Sequence, residues 1–133
     1  MTTITSDVVN VARPAQDIFA FLIDLNNLEK LMPEGKYSEW ESTADDCRFN
    51  LNGMASIGMK ITDSNPPNSI HIVSNGKNPF EFTLDVSIKE AAAGCDCQLT
   101  FNGQLNMMLK MMAVTPLTNF FNILAKNLAK QLA

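Results

Sequence analysis

The run Phe80-Glu81-Phe82-Thr83-Leu84-Asp85-Val86-Ser87-Ile88-Lys89 alternates apolar and polar side chains without a break. Successive side chains of a strand point to opposite faces, so this pattern asks for a strand with one dry and one wet face. The neighbouring segments repeat it. Cys47, Phe49 and Leu51 alternate with Arg48, Asn50 and Asn52, and Ile57, Met59 and Ile61 with Gly58 and Lys60. Ile70 and Ile72 flank His71, while Cys95, Cys97, Leu99 and Phe101 alternate with Asp96, Gln98, Thr100 and Asn102. Turn-forming residues separate the runs: Gly53, Asn65-Pro66-Pro67-Asn68, Asn75-Gly76-Lys77-Asn78-Pro79 and Ala93-Gly94. From Tyr37 to Leu105 the chain reads as an antiparallel meander of six strands with one apolar face.

Outside this region the period is helical. Val8-Val9-Asn10-Val11-Ala12 reads as a first strand, and Pro14 fits the first position of a helix with Gln16 and Asp17 in its first turn. Ile18, Phe21, Leu22 and Leu25 recur at helical spacing; Leu28, Leu31 and Met32 extend it into a second short helix after a break at Asn26-Asn27. At the other end Met108, Met112, Leu117, Phe120, Phe121, Leu124 and Leu128 form a broad apolar stripe. Thr115-Pro116 predicts a kink or a restart in it. The dry face of the sheet needs a cover, and the final helix is long enough to supply one. The expected fold is α+β: a curved antiparallel sheet of about seven strands, with two short helices after strand one, wrapped on a long C-terminal helix. It is read as one domain over residues 1–133.

Composition narrows the function. Of 133 residues, 46% are hydrophobic and 18% charged, which supports a core without disulfides or a structural metal. A net charge of −4 argues against nucleic acid as the main partner. Residues 105–133 carry three lysines and no acid, so the rest of the chain holds −7. Such a helix suits an anionic surface or a partner; dipole matching by Lys126 and Lys130 is the plainer account. No basic segment followed by an apolar run opens the chain, and the weakly charged stretch 111–125 is too short to span a bilayer. A cytoplasmic protein without stable membrane insertion is expected. Cys47, Cys95 and Cys97 read as buried reduced thiols, since their number is odd and His71 has no spacing to complete a zinc site. No metal and no cofactor is expected.

The stretch Val9-Asn10-Val11-Ala12-Arg13-Pro14-Ala15-Gln16-Asp17-Ile18-Phe19-Ala20-Phe21-Leu22-Ile23-Asp24 resembles the opening strand and strand-to-helix turn of the SRPBCC or START-like superfamily. Leu28-Glu29-Lys30-Leu31-Met32-Pro33 resembles the next segment of many bacterial members. This superfamily includes the birch pollen allergen, polyketide cyclases and lipid-transfer domains. The resemblance implies a helix-grip fold with a hydrophobic pocket between sheet and C-terminal helix. It does not imply one activity.

Strand parity then nominates the pocket. Phe49, Leu51, Ile57, Met59, Phe80, Phe82, Leu84, Leu99 and Phe101 face inward, and Arg48, Lys60, Glu81, Asp85 and Lys89 face out. Trp40 and Tyr37 compete for the inward side of their strand, because an odd spacing separates them; Trp40 reads equally as a pocket wall, as which it is nominated, or as an edge-strand packing residue. Met108, Met112 and Phe120 are taken as the helix's share; flexible thioethers suit an adaptable pocket and equally the filling of irregular gaps under a kinked helix. No catalytic residue is nominated: His71 falls outside between Ile70 and Ile72, and Asp24 and Glu29 read as capping or surface residues.

Three functions compete. A carrier of a hydrophobic lipid-, isoprenoid- or polyketide-like molecule requires a cavity of about 300 Å³. A cyclase- or hydratase-like enzyme requires polar groups converging in that cavity, with His71 or Tyr37 among them. An interaction or homodimer module would use the last helix or the exposed sheet, with Phe121 at the contact.

Overall fold

Alternation becomes a continuous sheet because each hairpin keeps its apolar side chains on the same face. In the computed structural model, which describes residues 1–52 and 55–133, the chain begins with β1 (Thr2–Thr5), β2 (Val9–Val11) and α1 (Ala15–Leu22). A 3-10 helix (Leu25–Leu31) leads to β3 (Tyr37–Ser42), β4 (Asp46–Leu51), β5 (Ala55–Asn65) and β6 (Ser69–Ser74). Then come β7 (Phe82–Glu90), β8 (Cys95–Gly103) and α2 (Met107–Gln131). The turn expected at Gly53 lies outside the described residues. All strand pairs are antiparallel in the order β1-β8-β7-β6-β5-β4-β3, with β2 also on β8. The architecture is the helix grip: a curved sheet wrapped on a long C-terminal helix.

The sheet has eight strands, one more than the sequence suggested: β2 falls within the expected Val8–Ala12 strand, and β1, at Thr2–Thr5, is the addition. Buried Ser6 separates the two along β8. Its amide donates to the Leu99 carbonyl at 2.9 Å and its hydroxyl oxygen accepts the Leu99 amide at 3.0 Å. The side chain replaces a ladder carbonyl, and the chain bulges outward through exposed Val8 before pairing resumes at Val9. Register then stacks the core: Ile4, Phe101, Leu84 and Ile72 lie in one row across four strands, all buried. Register shifts in β3, between Ser38 and Glu41, and in β5, between Ile61 and Asp63, bend this surface.

Two boundaries differ from the sequence reading. Pro14 stands just outside α1, at its N-cap. The break between the short helices falls at Ile23–Asp24, not at Asn26-Asn27, because the Asp24 carboxylate accepts the Asn26 amide at 3.0 Å and starts the 3-10 helix. The helix α2 begins where Asn106 Oδ1 accepts the Leu109 amide at 2.9 Å. It does not restart at Pro116. Ala113 and Leu117, four residues apart across the proline, are both buried, so the helical phase holds through it. The backbone hydrogen bond that Pro116 forfeits belongs to an exposed part of the helix, where water can replace it.

Candidate functional site

Between sheet and helices lie two small cavities with one wall in common. The first, about 40 Å³, is enclosed by Leu22, Leu25, Leu28 and Leu31 on one side and by Ile72, Val86 and Leu99 on the sheet, with Leu124 and Leu128 of α2 above. The leucines recur every third residue. A 3-10 helix has three residues per turn, so Leu25, Leu28 and Leu31 are stacked along one side of it, toward the cavity. The second, about 30 Å³, is lined by Phe49, Leu51, Ile57, Met59, Phe80 and Phe82, with Phe101, Leu117, Phe120 and Phe121 completing it. Leu84 borders both. Neither space reaches the roughly 300 Å³ that a small-molecule site occupies. Both are narrow in this conformation.

The chemistry of the interior is uniform. Among the described lining residues, Gln98 alone has a polar amide or charge-bearing type of side chain, and its Nε2 donates to the Ser6 carbonyl at 3.0 Å. Cys97 also borders the larger cavity, and burial pushes its thiol up to about 12, as it does for Cys47. These thiols remain neutral and behave as small apolar groups. Among the described residues no group of three His, Cys, Asp or Glu side chains is placed to hold a metal ion.

Aromatic contacts hold the second cavity together. Phe82 stacks on Phe101 with centroids 5.5 Å apart, Phe101 meets Phe121 at 5.3 Å, and Phe49 meets Phe120 at 6.2 Å. Phe80 packs edge-on against both Phe82 and Phe101, although it precedes β7 instead of belonging to it.

Of the residues nominated from sequence, Phe49, Leu51, Ile57, Met59, Phe80, Phe82, Leu84, Leu99, Phe101 and Phe120 border one cavity or both. Three do not. Met108 and Met112 are 72% and 68% exposed, on the side of α2 facing away from the sheet. Nine residues separate Met108 from Leu117 and Met112 from Phe121, which is two and a half helical turns, so each methionine lies opposite a buried residue. That phase relation was present in the sequence. Trp40 is the third. It stacks on Phe49 at 5.4 Å and bounds an open groove, not an interior space.

Nor do Trp40 and Tyr37 compete. Glu39 adopts a left-handed conformation, φ 56°, inside the β3 register shift, and the extra residue brings both rings to the same side, 6.1 Å apart. The indole N–H of Trp40 donates to Ser42, whose hydroxyl donates to Asn26, tying β3 to the 3-10 helix. The Tyr37 hydroxyl donates to Glu29 at 3.0 Å, which, ahead of burial, raises its pKa above the ordinary value.

The polar groups on which an enzymatic reading depended are thus elsewhere. His71 is on the outer face, with Nδ1 2.5 Å from Asp85 Oδ1. Phe121, expected at a docking surface, is 5% exposed and packs on Phe101, so a charge there would unfold the domain before testing any contact. Among the wall residues missed were Leu22 and the 3-10 helix leucines, whose three-residue spacing was legible, the sheet residues Ile72, Val86, Cys97 and Gln98, and a set from α2 that includes Leu117, Phe121, Leu124 and Leu128.

A sheet gripping a helix over an interior that is apolar save for Gln98 among the described lining residues defines a class of scaffold suited to hydrophobic ligands. Comparison with protein families makes the class specific: the chain belongs to the polyketide cyclase / dehydrase and lipid transport family, whose model matches residues 1–133. Solved structures share the fold. A protein from Thermus thermophilus superposes with a TM-score of 0.79 at 13% identity, over 98% of this chain and 97% of its own. A START superfamily protein from Mycobacterium smegmatis gives 0.69 at 16% identity, over 98% and 96%. The Aha1 dimer from Colwellia psychrerythraea gives 0.70 at 15%, over 99% and 96%. The comparison with curated proteins yields no match.

Proposed function

We propose that this protein binds or carries a hydrophobic small molecule, lipid-, isoprenoid- or polyketide-like, between the sheet and α2. The observation that carries this reading is the pair of apolar cavities that Leu84 borders in common. These narrow spaces are too small for such a ligand, so binding requires α2 to move. Its first two turns are the least anchored part: from Met107 to Thr115, Leu109, Ala113 and Val114 face the core. Pro116, which forfeits a backbone hydrogen bond, follows directly. The α2 residues on the cavity walls, Leu117, Phe120, Phe121, Leu124 and Leu128, all follow Pro116, so a swing of the helix about this point would enlarge the space beneath them, with binding driven by apolar burial at about 25 cal/mol per Å² before ordering terms are subtracted.

Native mass spectrometry of gently purified protein, followed by organic extraction of any adduct, tests this directly. An apolar adduct released on extraction supports the carrier reading and names the ligand class. A bare protein that also fails to take up a fluorescent fatty acid or isoprenoid added in solution counts against it.

A further inference from the structure

Four methionines at the start of α2 do nothing for the core. Met107, Met108, Met111 and Met112 are 79%, 72%, 82% and 68% exposed. They form two adjacent rows at i, i+4 spacing on the outward face of the helix. Farther along, that face becomes polar at Thr115 and Asn119 and ends in exposed Lys126 and Lys130. Eighteen residues separate Met108 from Lys126 and Met112 from Lys130, five full turns in each case. Each lysine therefore lies in line with a methionine, about 27 Å down the axis. The outward face is one continuous stripe, apolar at one end and cationic at the other.

We infer that this stripe docks the protein peripherally on an anionic lipid surface. The methionines insert at the boundary of headgroups and acyl chains, while Lys126 and Lys130 meet anionic headgroups. Two observations select this occupant. The segment from residue 105 to 133 carries three positive charges and no negative one, against −7 elsewhere, and although exposed Asp7 lies beside it, its amide bonded to Asn122, α2 is the cationic element of the chain and complements a negative surface. The apolar part is confined to two helical turns. A stable dimer buries about 800 Å² per partner around a substantial apolar centre, and the polar stripe beyond Thr115 does not extend the methionines to that size. A small apolar plug backed by distant cations fits a planar lipid surface. Docking of this kind does not need the cavities to be filled, so it stands or falls separately from the carrier reading.

The test is flotation with phosphatidylcholine vesicles and with mixed phosphatidylcholine–phosphatidylglycerol vesicles. The wild-type protein should float with the mixed vesicles and far less with phosphatidylcholine alone. Met107→Gln/Met108→Gln/Met111→Gln/Met112→Gln should lose at least about tenfold in binding. These side chains are mostly exposed, and an unchanged circular dichroism spectrum verifies the fold. Lys126→Gln/Lys130→Gln should weaken binding by about fivefold per lysine, an effect that added salt reproduces in the wild type. Absence of wild-type binding to mixed vesicles overturns the inference, as does binding that the methionine variant retains. A dimer in sedimentation velocity that the methionine substitutions abolish, with no vesicle binding, assigns the face to a second copy instead.

Discussion

Gly58 shows how tightly one position on the outer face is determined. A Cβ added there would run into the Arg48 guanidinium and stand 2.5 Å from the Asn75 carbonyl oxygen. The guanidinium lies over this glycine to reach the carbonyls of Asn75 and Lys77 at 2.8 and 2.9 Å, while Asn78 exchanges hydrogen bonds with the Gly58 backbone. Arg48 can swing aside, but the backbone oxygen cannot. Gly58→Ala should therefore lower stability by about 1–3 kcal/mol in urea unfolding. The thiols make a second prediction. Burial raises Cys47 and Cys97 from 9.0 to about 12. Between these values the unfolded chain has released protons that the folded one still holds, so stability falls as pH rises from 9 toward 12. The slope is about 1 kcal/mol per pH unit for each thiol. It should be shallower in Cys97→Ala, measured as unfolding free energy at several pH values. A pH dependence equal to that of the wild type would contradict the assigned burial.

For α2 the decisive element is Pro116. An interior proline is about 3 kcal/mol less favourable than alanine in a helix, and its removal gives the unfolded chain up to about 1 kcal/mol of extra freedom. Pro116→Ala should stabilise the protein by about 1–2 kcal/mol, seen as a higher Tm. If α2 opens at this point, the same variant should take up a fluorescent fatty acid more slowly in stopped flow. This element also shows what the sequence makes legible. The stripe from Leu117 to Leu128 follows from its spacing, whereas only composition joins the methionines to it. Met108 and Met112 are apolar, yet half a turn away from buried residues, and burial follows azimuth. In β3 the reverse holds. Parity sets Tyr37 against Trp40, but Glu39, in its left-handed conformation, shifts the count by one, and nothing in the local sequence marks a glutamate for that role.

At the scale of the whole molecule, Leu84 is the described residue that borders both cavities, and it is 4% exposed. Leu84→Ala should join them into one space, at a loss of about 2–5 kcal/mol in unfolding free energy. An apolar cavity of that kind stays dry and accepts small apolar guests. Benzene or xenon should bind the variant more tightly than the wild type, measured by chemical-shift changes of methyl groups along the cavity wall. Equal affinity for both would mean that the surrounding side chains collapse into the gap.

Alternation with period two and the return to a helical period were enough to determine β2, β4 to β8 in outline, most of their inward residues and the covering helix. Those features depend on local periodicity, which a chain states directly. Cavity size, the additional strand at Thr2–Thr5 and the placement of Trp40 were decided by tertiary structure. Each depends on how distant segments meet: Ser6 on Leu99, Glu39 within a strand pair, Leu84 between a 3-10 helix and α2. Periodicity tells which face a residue takes. How much room is left between two faces follows from the curvature of the sheet and the seating of the helix, which arise when the whole chain packs.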